Sequence, residues 1–364
     1  MNAEPTDTPL AVRLVSESVV ERILKKAARP GAELRSYDLL PMKTKIALTS
    51  RVYKLVLDYD RDGECRRQSF ILKTQSNDGK DVFNYLNFYE REIYAYNEVL
   101  PLQRMLPYPV CYYSDYDKET GDFVIVLEDL SDFAVGDQFK GCSADAAASV
   151  LEKLAGFHRH GFVSIEDYRP SLKGWSAEQL SFSRKEFGRY WRNAWQLFEG
   201  VMPRSFAGKF DAMNRSYIDV WLEIERGPQS LLHFDLRLDN LVFDARNELA
   251  AVIDWQLART GNAAYDVSLF LVGNAEPGLN DADCDRLLRH YYTAAGLQRT
   301  SYRYEHFFAD FRKSLLCHFY RELNYLGSDD YDLELRIRYA DQIFTRYAAA
   351  LERLDAVEFL ETSV

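Results

Sequence analysis

The sequence predicts an α+β protein in two parts, a small antiparallel sheet with one crossing helix followed by a larger, mainly helical region. Three observations carry this expectation. Strand-like apolar runs crowd the first third of the chain, with turn signals at Asp62-Gly63 and Glu119-Thr-Gly121. After Leu130 the periodicity becomes helical, with Val150, Leu151, Leu154, Phe157 and His158 on one stripe of residues 144–161. Strands segregated from helices in this way describe an α+β fold. Within the helical part, the polar segment His233-Phe-Asp235-Leu-Arg-Leu-Asp-Asn240 lies between two short apolar runs, Ser230-Leu-Leu232 and Leu249-Ala-Ala-Val-Ile253.

Taken in order, residues 1–12 read as a flexible tail, 13–130 as the sheet-rich part and 131–364 as the helical part. Ser18-Val-Val-Glu21 reads as a capping box that opens a short amphipathic helix, stopped by Pro30-Gly31. Val52-Tyr-Lys-Leu-Val-Leu-Asp-Tyr59 is a strand, and Ser69-Phe-Ile-Leu-Lys73 is a second one that ends in a lysine. Phe88, Tyr89, Glu92, Ile93 and Tyr96 share one face of a helix that Pro101 closes. Phe123-Val-Ile-Val-Leu127 is a continuous apolar strand that runs into Glu128-Asp129-Leu130. Residues 175–227 are helical and aromatic, with Trp175, Phe182, Phe187, Tyr190, Trp191, Trp195, Phe198, Phe206, Tyr217 and Trp221. Those rings are either the core of a packed helix pair or a wall for a large apolar or cationic ligand. Leu241-Val-Phe243 starts a small hairpin that turns at Asp244-Ala-Arg-Asn247. His158 and His160 read as structural.

Composition narrows the classes. An apolar fraction of 47% and a charged fraction of 28% fit a globular protein with a sizeable core. No run approaches the roughly 18 apolar residues that cross a bilayer, so no membrane role is expected. The first residues lack the basic-then-apolar pattern of a secretory signal. Five scattered cysteines suggest reduced thiols and a cytoplasmic protein. A formal net charge of −11 disfavours nucleic acid as a partner.

The polar segment carries the chemistry. Asp235 can accept the proton of an attacking hydroxyl. Asn240 offers an amide oxygen, and Asp254 ends the apolar run that follows. Hard oxygen donors with open positions are what Mg²⁺ requires, because it dehydrates reluctantly. Glu90 and Glu92 are two carboxylates on the helix that follows Lys73. Other classes remain open: a metal-dependent hydrolase using His233, Asp235 and Asp254, or a catalytically silent nucleotide-binding module.

In that order along the chain, these residues resemble the kinase-like phosphotransferases, the superfamily of protein kinases and of aminoglycoside and choline kinases. Asp254-Trp-Gln256, Arg259-Thr-Gly261 and Asp266-Val-Ser-Leu-Phe-Leu271 narrow the resemblance to the ecdysteroid-kinase-like branch, over roughly residues 40–330. The resemblance implies a two-lobed protein-kinase-like fold, with 13–130 the nucleotide-binding lobe and 131–364 the lobe of the catalytic loop and acceptor site. It implies ATP and Mg²⁺ as cofactors and phosphoryl transfer to a hydroxylated small molecule. Asp235 would be the base, Lys73 the grip on the phosphates and Glu92 its orienter, with Asn240 and Asp254 the metal ligands. The backbone at Glu128 and Leu130 would meet the adenine. The phosphate loop, Lys45-Ile-Ala-Leu-Thr-Ser-Arg51, has no glycine, which leaves Thr49 and Ser50 as donors and argues against a protein kinase. Phe234 stands where the family commonly has glycine. Asp266 braces the catalytic loop or simply caps a helix. The acceptor is expected to bind between the catalytic loop and the aromatic-rich helices of residues 175–221, and to be a sizeable, mainly apolar alcohol, steroid-like or hydroxyacyl. An aminoglycoside, macrolide or choline-type acceptor is the alternative.

Overall fold

In a computed structural model of the chain, residues 14–28, 31–42, 50–76, 86–168, 170–275, 281–329 and 331–360 are described. The tail expected at 1–12 and Thr49 lie outside them. The chain divides into two compact units. The first holds the described residues up to Leu102, together with Tyr108–Ala134 and Ile253–Gln256; the second holds the remainder.

The first unit is built on period-2 alternation. Its strands are β1 (Glu33–Pro41), β2 (Ser50–Arg61), β3 (Glu64–Gln75), β4 (Cys111–Tyr116) and β5 (Phe123–Glu128), all antiparallel in the order β1-β2-β3-β5-β4. One face collects Leu55, Leu57, Phe70, Leu72, Val124 and Val126, and Val19, Val20, Ile23 and Leu24 of the helix Glu17–Ala27 pack into the same core. Strand β5 is buried from Phe123 to Leu127 because both of its faces are covered. On the opposite face Tyr89 stacks on Phe123, with ring centres 4.8 Å apart, and so anchors the helix Phe88–Tyr94. That helix widens into a π-helical turn, Ala95–Val99, and ends in a 3-10 turn, Leu100–Leu102, that contains Pro101.

One local expectation fails. The helix Glu17–Ala27 starts after Ser16, whose side chain makes no capping bond, so Ser18 and Glu21 form no capping box. Val19 and Val20 are already buried, and packing rather than the cap sets the start. A true capping box, Ser176 with Gln179, opens the helix Ala177–Phe198 instead.

In the second unit the stripe expected at 144–161 belongs to a longer helix, Ala144–Tyr168. Gly161 lets it lie directly on the strand Gln229–Leu232, since a Cβ there would come within 2.5 Å of the Leu231 nitrogen. That strand pairs antiparallel with Arg259–Asn262. The expected hairpin forms from Leu241–Phe243 and Leu249–Val252, with Asp244 accepting from the Arg246 and Glu248 N–H groups in its turn. The helix Ala264–Asn274 is buried along its whole length, and Tyr304–Gly327 packs against it and against Ala177–Phe198. Among the described residues, no helix is long and apolar enough to cross a membrane.

Candidate active site

In the first unit three charged side chains meet. Lys73 faces Val52 on β2 and Ile125 on β5, so its side chain leaves the same sheet face that Tyr89 and the helix Phe88–Tyr94 cover. Its Nζ donates to both carboxylate oxygens of Glu92 at 2.9 Å and to Asp254 Oδ1 at 2.6 Å. Glu90 points elsewhere and pairs with Lys118 at 2.6 Å. Glu92 is fully buried, and burial pushes its carboxyl up to about 7 while Lys73 pulls the other way. Burial also works against charge on Lys73, but Asp254 and Glu92 outweigh it and the ammonium is held firmly protonated. Asp254 has φ +65°, a left-handed conformation uncommon outside glycine.

Ser50 is buried at the start of β2, opposite Gln75. Glu128 and Leu130 are half-buried at the end of β5. Between them, Asp129 ties this turn to the sheet, accepting from Ser69 Oγ at 2.6 Å and Lys54 Nζ at 2.8 Å, and from Ser131. Burial would raise its pKa, but these donors hold it down to about 2.

The second unit presents Asp235. The backbone turns sharply just before it, at Phe234 with φ +70°, which explains why glycine suits that position. Three things hold the turn. Asp266 accepts from the His233 N–H at 2.7 Å and from the Phe234 N–H at 2.8 Å. The Phe234 ring stacks on Tyr265 with centres 4.1 Å apart and planes 2° from parallel, and the Arg259 guanidinium lies 4.5 Å from it. Asn274 accepts from the Leu238 N–H at 2.8 Å. Asp266 is therefore a brace, and the turn before its helix is closed by Asn262, which accepts from the Ala264 N–H at 2.9 Å. His158 is structural: it bonds Tyr291 Oη at 2.6 Å and approaches Asp266 at 3.4 Å. His233 is buried, and its Nδ1 accepts from the Asp235 N–H at 3.2 Å.

Asn240 sits beside Asp235, its Nδ2 donating to the Asp235 carbonyl at 2.8 Å and to Oδ2 at 3.2 Å. That leaves the amide oxygen as its acceptor. Two arginines flank the same carboxylate: Arg237 Nη2 at 3.1 Å from Oδ2 and Arg321 Nη1 at 3.2 Å from Oδ1. Burial alone would raise the Asp235 pKa, but Arg237 and then Arg321 outweigh it and hold it at about 2. Arg321, on the helix Tyr304–Gly327, was not foreseen. It lies 86 residues beyond Asp235 in an ordinary helical charge pattern, and no local signal marks it.

The aromatic stretch divides. Phe198, Phe206, Tyr217 and Trp221 are core, with Phe206 against Phe319 and Trp221 against Phe234 and Tyr265. Trp191 and Trp195 are half-buried and both rest on Phe210, at 4.0 and 4.4 Å. A second aromatic group was missed: Tyr325 lies 4.3 Å from Tyr331 and 4.6 Å from Tyr339, ring to ring. Tyr339 Oη donates to Glu322 at 2.6 Å, which links this group to Arg321.

Comparison with known proteins shows the family to which the chain belongs. A family model described as the ecdysteroid kinase-like family matches residues 47–304, well over half of the chain. No curated protein is significantly similar in sequence. Among solved structures the chain is similar to a microcompartment-associated aminopropanol kinase, with 16% identity, a TM-score of 0.47, and coverage of 94% of this chain and 100% of the other. It is also similar to a choline/ethanolamine kinase family protein from Mesorhizobium loti, with 16% identity, a TM-score of 0.47, and coverage of 94% and 97%. A Plasmodium vivax ethanolamine kinase has 14% identity, a TM-score of 0.49, and coverage of 87% and 84%. Likeness of this degree says nothing about substrate.

Proposed function

The chain belongs to the ecdysteroid kinase-like family and is a small-molecule kinase, and from that premise we propose that it moves the γ-phosphoryl group of ATP to a hydroxyl of a sizeable, mainly apolar alcohol. The observation that carries the reading is the meeting of Lys73 with Glu92 and Asp254, three charged groups more than a hundred residues apart in part, held within 2.9 Å. A largely covered lysine near the end of a strand, pinned by two carboxylates, has no packing purpose that an apolar residue would not serve better. It suits a cation kept in place for nucleotide phosphates.

Asn240 and Asp254 carry the oxygen donors proposed for Mg²⁺, and an amide oxygen and a carboxylate are donors of the chemistry that the ion takes. Among the described residues no three His, Cys, Asp or Glu side chains gather into a cage, and Mg²⁺ needs only one or two protein oxygens when phosphates supply the others. Bound there, the ion would neutralise phosphate charge. Lys73 would grip the phosphates, with Glu92 keeping its ammonium in line. Asp235, held at about 2, is ionised throughout the working range and is a weak base. Its contribution is therefore to orient the hydroxyl and receive its proton late, which suits a loose transition state with little charge on the nucleophile.

The surroundings of Asp235 support an acceptor that is not a polycation. Its own neighbours are Arg237 and Arg321, and Glu322 is already taken by Arg321 and Tyr339. An amino sugar would meet repulsion and find no spare carboxylate in this group. The half-buried rings of Tyr325 and Tyr331 offer apolar area to the body of the alcohol, a better wall than the core-packed residues of the tryptophan-rich helices. The test is ADP release from Mg²⁺-ATP across a hydroxysteroid, a hydroxyacyl compound, a macrolide, an aminoglycoside and choline. The hydroxysteroid or the hydroxyacyl compound should be preferred. An aminoglycoside as the best acceptor would overturn the acceptor class and leave the kinase standing.

A further inference from the structure

Resting on the reading that Asp235 receives the acceptor's proton, we propose that Arg321 is a positioning residue of the transfer and that Asp235 Oδ1 is the oxygen to which the acceptor hydroxyl donates. The two carboxylate oxygens are loaded unequally. Oδ2 accepts from Arg237 Nε at 3.2 Å, Arg237 Nη2 at 3.1 Å and Asn240 Nδ2 at 3.2 Å. Oδ1 accepts from Arg321 Nη1 at 3.2 Å. A carboxylate has about four lone-pair sites, two on each oxygen, so the spare capacity is on Oδ1.

Arg321 is itself fixed from behind. Its Nε and Nη2 both lie 3.2 Å from Glu322 Oε1, and Glu322 Oε2 accepts from Tyr339 Oη at 2.6 Å. The far end of this chain is buried and the near end is open, since the Glu322 side chain is 4% exposed and that of Arg321 31%. A planar guanidinium held at two of its nitrogens presents the third in a set direction, which a flexible ammonium cannot do. Arg321 thus fixes the rotation of the Asp235 carboxylate and borders the place the acceptor oxygen must occupy. In the transfer, the acceptor O–H bond breaks as its oxygen bonds to the γ-phosphorus. The bond from that phosphorus to the bridging oxygen breaks with its electron pair leaving on ADP, and the proton passes to Oδ1.

The test compares Arg321→Met, Arg321→Lys and Tyr339→Phe with the wild type, by ADP release from Mg²⁺-ATP with water and with each alcohol of the panel above. Nucleotide affinity is read separately by calorimetry. Loss of a positioning contact should lower kcat by about tenfold or more in Arg321→Met for every acceptor, with nucleotide affinity within about twofold. Arg321→Lys restores the charge without the fork and should recover part of the rate. Tyr339→Phe, which removes only the remote hydroxyl, should lower kcat by about two- to fivefold. A wild-type kcat in folded Arg321→Met overturns the proposal, as does a loss that falls equally on nucleotide affinity. Should Arg321→Met fail to fold, wild-type rates in both Arg321→Lys and Tyr339→Phe overturn it. A wild-type protein that binds Mg²⁺-ATP but releases no ADP with any acceptor sinks the phosphotransfer reading, and this proposal with it, before any variant is made.

Discussion

Phe234 shows how a single residue can be costly and useful at once. At φ +70° a non-glycine residue pays about 1–2 kcal/mol, yet the ring is almost fully buried between Tyr265, Trp221 and Arg259. Losing a buried phenylalanine ring costs about 3–5 kcal/mol, so burial wins. Phe234→Gly should therefore be destabilising by about 2–3 kcal/mol, and Phe234→Ala by about 1 kcal/mol more, because alanine loses the ring and keeps the strain. Urea denaturation of both variants checks this; an alanine variant as stable as the glycine one would remove the strain argument. Asp129 yields a pH prediction at the same scale. Its folded pKa, about 2, lies below the ordinary value of 3.8, so its stabilising effect is present above pH 4 and is lost as pH falls toward 2. The shift corresponds to more than 2 kcal/mol, and screening on the solvent side reduces it to about 1 kcal/mol. Asp129→Asn should be less stable than wild type by that amount at pH 7, and the gap should shrink in denaturation curves below pH 4. A gap that held constant with pH would show that the carboxylate charge is not its source.

At the scale of elements, the loop that carries Asp235 is suspended from the helix Ala264–Asn274 at both ends of that helix. Asp266 in its first turn takes two backbone N–H groups of the loop, and Asn274 at its last residue takes a third. Asp266→Ala would leave the His233 and Phe234 N–H groups buried without an acceptor, at about 1–3 kcal/mol each. The expected result is a loss of roughly 3 kcal/mol in stability, with Asp266→Asn milder because one carbonyl oxygen remains. Equal stability of the alanine variant would show that the loop holds itself. Much of this was legible. The strands ending near Lys73 and Leu127 and the hairpin around Asp244 follow from alternation and turn residues, which act over a few positions. The start of the helix Glu17–Ala27 was misjudged because Ser18-x-x-Glu21 satisfies a local rule that packing of Val19 and Val20 overrides. The role of Asp266 was left open because a carboxylate in a helix's first turn looks the same whether it caps its own helix or braces a distant loop.

At the scale of the molecule, chain order and spatial order part company. Ile253–Gln256 cluster with the first unit although both flanks belong to the second, so Asp254 joins Lys73 and Glu92 from 181 residues beyond the lysine. Lys73, Glu92, Asp235, Asn240 and Asp254, the residues proposed for the transfer, could be picked out in the sequence because each sits in a short motif. Arg321, Glu322 and Tyr339 could not, because they reach Asp235 only through tertiary packing of helices that carry no motif. The core or ligand role of the aromatic rings at 175–221 was equally undecidable, since burial is a property of the fold and not of the ring. The central proposal is phosphoryl transfer with Asp235 as proton acceptor. Its most direct test is Asp235→Asn, which keeps the shape and removes the charge, measured for Mg²⁺-ATP affinity by calorimetry and for ADP release with the best alcohol of the panel. Affinity should stay within a few-fold while transfer falls by about a hundredfold or more. Transfer at the wild-type rate, with the nucleotide still bound, would contradict the account.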